Sequence, residues 1–381
     1  MSAEYEIVKY RPELKEQVVE LQKELWSSDA SRNRRFLEWK YEKNPYFREP
    51  LIYVALHRGQ AIGMRGFHGV KLEAGTPSRA FPVLAAGDAL IAPAHRDRGL
   101  VTQILKTAYA DLAESDSRYL FSLGASSRVN VLGLLTSGWK SVGPLRPMGQ
   151  VTTKAMRRQQ VRRAITRLPF VWRYHDARFL FSADERQPFR HLDAATPGRR
   201  PGEGSPVTIE RRPRLDAMAE LVERLGHDGR VRHVRDSEYL GWRFQNPFSE
   251  YRFLYWGEAR LEGYLVLNRR TSDLENWTRV HIADLEASDA RIRSELLSAA
   301  VTAGRFPELV TWTASLSEEE IQLLKHLGFA PVDAEVTTRG CPCVLVRPLR
   351  DDLPETEWVL GDRPLLDTKN WDWRVLYSMR G

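Results

Sequence analysis

Cysteine is scarce in this chain. Two, Cys341 and Cys343, occur in 381 residues. They stand one residue apart in a strand-like run, too few for a disulfide framework and without zinc-ligand spacing. A reduced, cytoplasmic protein is therefore expected. Long apolar runs are missing as well: no stretch approaches the roughly 18 residues a spanning helix needs. The N-terminus, MSAEYEIVKY, is charged and lacks the apolar centre of a secretory signal. The histidines are scattered without paired spacing, so no metal site is expected.

What is present is an ordinary globular composition with a formal charge of +7. That balance favours acidic ligands, among them phosphorylated small molecules, nucleic acid and anionic surfaces, without choosing between them. The length exceeds one core of ordinary size, so two domains are expected.

The stretch from Ala85 to Leu112 organises the first half. Ala85 to Ala92 is small and apolar, and Pro93 ends it because proline cannot donate to a ladder. Arg96-Asp97-Arg98-Gly99-Leu100-Val101 is a basic turn containing glycine. Beyond it Ile104, Leu105, Ala108 and Leu112 recur at helical spacing. A helix opening on a glycine turn presents unpaired N–H groups and a positive dipole end, which suits phosphate. Around this stretch the order reads as strand 5–10, two helices closed by Asn44-Pro45, three strands, the helix from Val101, strand 119–123, a turn over Gly124 to Ser127, a short helix 129–135 and closing strands within 142–152.

That turn resembles the acyl-CoA signature of the GNAT acetyltransferase family through Arg96 and Gly99, with Val101 where a small residue is usual. The order of elements is also similar to the GNAT fold over residues 5 to 152. The resemblance implies an acetyl-CoA or other acyl-CoA co-substrate, held by the N–H groups around Arg98, Gly99, Leu100 and Val101 with Arg96 adding charge. It implies thioester polarisation by backbone near Leu90 and Ile91, with Ser127 and Asn130 near the pantetheine arm or leaving sulfur. No metal is implied. The tyrosine that serves many members as general acid would fall four residues before Gly138, where this chain has Leu134. Asp88, which interrupts the apolar strand, is the first candidate for the base, and His68 is the second. The alternative for Asp88 is a structural hydrogen bond, because a matching acid occurs in the second half.

That second half repeats the first. Phe36-Leu37-Glu38-Trp39-Lys40-Tyr41, followed by Asn44-Pro45, returns as Tyr239-Leu240-Gly241-Trp242-Arg243-Phe244, followed by Asn246-Pro247. Gly63 matches Gly263, Asp88 matches Asp284, and Gly138-Trp139 matches Gly328-Phe329. A repeat of this period means duplicated domains rather than a solenoid. The counterpart of the glycine turn, Glu286 to Ile292, has no glycine and carries acids. The expected fold class is thus α+β/α/β: tandem GNAT folds, each a mixed central sheet flanked by helices. Residues 1–152 form the domain with the acyl-CoA site, 153–206 a basic connecting helix and linker, 207–350 a degenerate GNAT-like domain, and 351–381 a tail docked on a domain. The tryptophan and Asn-Pro pieces are expected to serve as helix core and helix stop.

The function implied is acyl transfer from acyl-CoA to an amine of a small-molecule acceptor, an amino sugar or a biosynthetic intermediate. Two alternatives stand beside it: a Fem-like aminoacyl-tRNA-dependent transferase, and a non-catalytic module binding CoA or an anionic polymer. No clear nucleic-acid site is expected. The basic run 151–167 reads first as a solvated face and second as a peripheral contact with an anionic membrane.

Overall fold

The computed structural model describes residues 5–47, 49–115, 119–126, 134–153, 155–157, 187–193, 206–257, 259–271, 279–304, 306–332, 343–350 and 352–378. Ser127, Asn130, most of the basic run and nearly all of the proline- and glycine-rich linker 197–206, the end of the connecting segment, lie outside the described residues.

The strands in chain order are β1 Tyr5–Lys9, β2 Leu51–His57, β3 Gln60–Ala74, β4 Arg79–Ile91, β5 Phe121–Ser126, β6 Lys140–Pro144, β7 Pro147–Val151, β8 Val207–Glu210, β9 Arg232–His233, β10 Ser249–Trp256, β11 Gly263–Arg270, β12 Arg279–Ala287, β13 Glu308–Trp312, β14 Ala330–Pro331 and β15 Cys343–Pro348. The helices used below are α1 Lys15–Leu21, α2 Ala30–Leu37, α3 Leu100–Ser115, α4 Leu215–Leu225, α5 Ser237–Arg243, α6 Ala290–Ala303 and α7 Glu318–His326. Among the described residues, no helix is long and apolar enough to cross a membrane.

Two mixed sheets result, as the patterning predicts. The first runs β1-β2-β3-β4-β5-β15-β6, with β9 added to β3, and the second runs β14-β7-β13-β12-β11-β10-β8. In each half three antiparallel strands lead into a parallel step, β4 beside β5 and β12 beside β13. The helix between the two strands of each step makes the crossover.

The sheets exchange strands. β7 precedes residue 152 yet pairs with β13 and β14 of the second sheet. β15, from the second half, inserts between β5 and β6 of the first. At sheet level, then, a boundary at 152 falls one strand late, and part of 207–350 completes the first sheet. The alternating pattern of a short closing strand does not say which sheet it joins, because strands of both sheets are buried on two faces, as with β2, whose alternate residues pack under α1 and α3. The stretch Gly124 to Ser126, expected as turn, is instead the end of β5, held by its ladder to β15.

The repeated tryptophans lie at the seam rather than in separate helix cores. Nε1–H of Trp39 donates to the carbonyl of Trp242 at 2.7 Å, and Nε1–H of Trp242 donates to the carbonyl of Trp39 at 2.8 Å. Their rings stack with centroids 4.9 Å apart and planes 12° apart. This reciprocal contact is what a pseudo-twofold relation between duplicated halves produces. Asn44 and Asn246 also play one part twice, each side-chain oxygen accepting from the backbone N–H two residues on.

Candidate active site

The register aligns the two halves residue by residue. Gly63 faces Ile91 across β3 and β4, and Gly263 faces Ala287 across β11 and β12. Counting back three residues from Ile91 and Ala287 gives Asp88 and Asp284, so the two acids occupy equivalent places.

In the first half the β4–β5 ladder holds only Leu84 with Ser122 and Ala85 with Leu123. β4 continues to Ile91 and β5 to Ser126. The strands therefore part beyond Ala85, leaving one edge of β4 without a strand partner among the described residues. Leu90 and Ile91 are buried on this segment. The chain then turns through Arg96, Asp97, Arg98 and Gly99, all at the surface, into α3. Asp97 and Gly99 have φ of 62° and 69°, and a Cβ built on Gly99 meets nothing within 4 Å. Gly99 precedes the helix and brings no side chain to cap its first N–H groups, an arrangement that suits an external anion. Leu100 is buried under the helix, whereas Val101 is 45% exposed. The two arginines pin the turn: Nε–H of Arg96 donates to the carbonyl of Ile91 at 3.1 Å, and Nη1–H of Arg98 to the Tyr5 hydroxyl at 2.6 Å.

The same place in the second half is filled from within. Asp289 caps α6, its carboxylate accepting from Ile292 N–H at 2.7 Å. Across the mouth of the groove, Arg293 of α6 pairs with Glu320 of α7 at 3.0 Å. Behind them a cavity of about 340 Å³ lies where β12 and β13 part, walled by Asp284, Glu286, Trp312, Trp373 and Arg374 among others. Arg374 of the tail donates there to Asp284 at 2.8 Å and to the carbonyl of Leu285 at 2.5 Å. The tail is docked, and its arginine lies along the open part of β12.

Asp88 sits on a bulge of β4 with φ of 41°. Its carboxylate meets Nζ of Lys40 at 2.8 Å, with the two side chains only 1% and 2% exposed. Lys40 follows α2, and its ammonium stands 5.2–5.5 Å from the ring centres of Trp26, Phe36 and Tyr41. Desolvated cation–π contacts of this kind offset part of the cost of burying the charge. A Cβ on Gly87 would come within 2.8 Å of that ammonium, so a larger residue beside Asp88 would push the Lys40 head group aside. Sequence reading did not single out Lys40 as a site residue. The signal was there: a basic residue follows both tryptophans, and Arg243, the counterpart, is also buried.

His68 faces Ala85, the last rung before β4 and β5 part. It is buried, and its Nδ1 has no hydrogen-bond partner among the described residues. Burial, then the nearby Lys40, His233 and Arg243, hold its imidazole well below the usual histidine range. It is therefore neutral at pH 7. His233 and His281 are likewise pushed down to about 3, first by burial and then by neighbouring arginines.

These depressed values make stability depend on pH. Between about 3 and 6.5 the unfolded chain binds protons that folded His233 and His281 do not. Their contribution is complete above the unfolded value and is lost as pH falls, at most about 1.4 kcal/mol per pH unit for each histidine. Urea midpoints should fall from pH 7 to pH 5, and His281→Asn should flatten the decline. A midpoint independent of pH across that range would contradict neutral burial.

No protein-family model and no curated protein matches the chain. Solved structures do. A probable N-acyltransferase from Enterococcus faecalis V583 is 13% identical, with 91% of this chain and 73% of that one covered at a TM-score of 0.53. A GCN5-related N-acetyltransferase from Anabaena variabilis ATCC 29413 is 11% identical, with 91% and 73% covered at 0.54. A tandem GNAT protein from the clavulanic acid biosynthesis pathway is 12% identical, with 92% and 100% covered at 0.51. The chain has the fold of the GNAT N-acetyltransferases, in the tandem arrangement.

Proposed function

We propose that the first half binds an acyl-CoA at the Arg96–Val101 turn and transfers its acyl group to an amine of a small molecule, an amino sugar or a biosynthetic intermediate. The observation that carries this reading is the contrast between the two helix starts. Gly99 brings no side chain to the first N–H groups of α3, beside a β4 edge freed by the parting strands. Asp289 closes the equivalent position of α6 with its own carboxylate. Acyl-CoA supplies the activated acyl group. The chain supplies an anion site, backbone donors near Leu90 and Ile91 directed at the thioester oxygen, and a base.

His68 takes the base role ahead of Asp88. Asp88 is committed to Lys40 and fixes the bulge, whereas His68 is neutral with a free ring nitrogen at the apex of the parted strands. Burial and the nearby Lys40 depress its basicity, so it would orient the amine and relay the proton to water rather than hold it. Leu134 offers no acid for the departing thiolate, which takes its proton from solvent.

Thermal unfolding with and without acetyl-CoA tests the reading, with Gly99→Glu beside the parent. Ligand at a hundred times its dissociation constant stabilises by about 2.7 kcal/mol. The parent should shift and the variant should not. The substitution meets open space, so its own cost is the positive φ, on the order of 1–2 kcal/mol. No shift in a folded parent would end the acyl-CoA reading.

A further inference from the structure

The groove of the second half takes no part in the steps above, yet it is not packed shut. Among the described residues, β12 and β13 pair only from Arg279 with Glu308 to His281 with Val310, and part beyond. The cavity of about 340 Å³ lies in that gap. Protein interiors hold few voids larger than a water molecule, whereas sites for small ligands begin at about 300 Å³. One wall is the tail, and it is anchored on either side of the cavity. The N–H of Asp372 donates to the carbonyl of Val231 at 2.9 Å. Tyr377 stacks on His233 with ring centroids 3.9 Å apart, and Tyr239 lies 5.7 Å from the same imidazole. The space is therefore preformed.

Three carboxylates meet at its deep end, those of Asp284, Glu286 and Asp372, and two guanidinium groups answer them. Arg235 lies 3.0 Å from Asp284 and 2.6 Å from Glu286. Arg374 lies 2.8 Å from Asp284, 2.9 Å from Glu286 and 3.1 Å from Asp372. Burial pushes carboxyls up, but these two arginines hold Asp284 below its usual range and hold Asp372 down at about 2. The other arginines on the walls are each paired with one acid: Arg230 with Asp228, Arg232 with Glu73 and Arg293 with Glu320. One negative charge is left over, in a chain whose total is +7. A surplus charge taken out of water is costly until a counter-charge meets it. The indoles add a second unmet demand. Trp312 and Trp373 line the cavity at 8% and 9% exposure. The backbone N–H of Trp373 donates to Ser315 Oγ, but neither indole N–H has an acceptor among the described residues.

We infer that this cavity is a ligand site of the second half, and that its ligand is a small organic monocation. An ammonium or guanidinium meets the surplus charge at Glu286 and Asp372, and an oxygen of the ligand accepts from the indoles. Its body is apolar, to match Ile282, Leu285, Leu297 and Leu324 on the walls. Arg374 is the chain's own example of such a group, a guanidinium held by the same three carboxylates. An anionic ligand, acyl-CoA included, would add to the surplus charge instead of meeting it. The site lies apart from the Arg96–Val101 turn and stands whether or not that turn holds acyl-CoA.

Thermal unfolding of the full chain without acetyl-CoA tests the site. The probes are tyramine and aminopentanol, both monocations carrying a hydroxyl. Tyrosol, the neutral counterpart of tyramine, and hydroxyphenylacetate, its anionic counterpart, are the controls. The amines should raise the melting temperature of the parent, and the controls should not. Glu286→Gln removes the surplus charge and should weaken amine binding about tenfold or more, the loss of one hydrogen bond to a charged group. Leu316→Trp, on the cavity wall, takes up the space and should abolish the shift. Should Glu286→Gln fail to fold, Leu316→Trp decides alone. No shift with either amine, an equal shift with tyrosol, or amine shifts that persist in full in the variants would each overturn the assignment. Adding acetyl-CoA to the same proteins reports on the first half separately, so either site can stand while the other falls.

Discussion

Replacing Lys40 with alanine is expected to lower the unfolding free energy by about 3–5 kcal/mol, the usual cost of leaving one member of a buried ion pair alone. Asp88 cannot turn to water: its side chain is 1% exposed and its backbone is fixed on a bulge. The three aromatic rings around the ammonium would also lose their cation. Lys40→Met combined with Asp88→Asn removes both charges and keeps the volume, and should regain most of the loss, since a neutral pair leaves no uncompensated charge. Urea unfolding of the two variants decides the matter. A loss below about 1 kcal/mol for Lys40→Ala, the range of a solvated surface pair, would mean that Asp88 is not held as described.

Trp39→Ala should cost a comparable amount, about 3–5 kcal/mol, as a large aromatic removed from a packed core. Here the core is the seam itself. The substitution removes the stack on Trp242 and the hydrogen bond to its carbonyl, but Trp242 can still donate to the backbone at position 39. Trp242→Ala mirrors it. The double variant should therefore cost less than the sum by about 0.5–1.5 kcal/mol, the value of an aromatic pair. Strict additivity in a double-mutant cycle would show that the two rings do not stack in solution.

Much of this was legible in the sequence because the repeat carries chemistry at fixed spacing. Gly63 and Gly263, Asp88 and Asp284, and the two Trp-basic-aromatic runs fall on equivalent positions. The glycine turn into α3 could also be read, because its φ values favour glycine and the helical spacing begins there. What could not be read were partners set by long-range pairing. Nothing local says that the residue after Trp39 reaches Asp88 in the neighbouring sheet, or that the residue after Trp242 instead grips the tail at Leu376 and Ser378. The two tyrosines around His233, Tyr239 and Tyr377, share no periodicity, since one comes from a helix and the other from the tail. Their meeting exists only in the docked structure.

The strand exchange has a consequence for how the protein is made. Among the described residues, β15, residues 343–348, is the only bridge between β5 and β6 in the ladder order. The first half therefore emerges from the ribosome incomplete, and β6 stays outside its sheet until nearly the whole chain has been synthesised. β7 waits equally long for β13, residues 308–312. Domains usually fold as units, the N-terminal one first, but here neither half has that option. A polypeptide cut within the 197–206 linker would give two pieces, each carrying a strand of the other's sheet. Such pieces would be halves only by length, and would have to find each other before either became a domain.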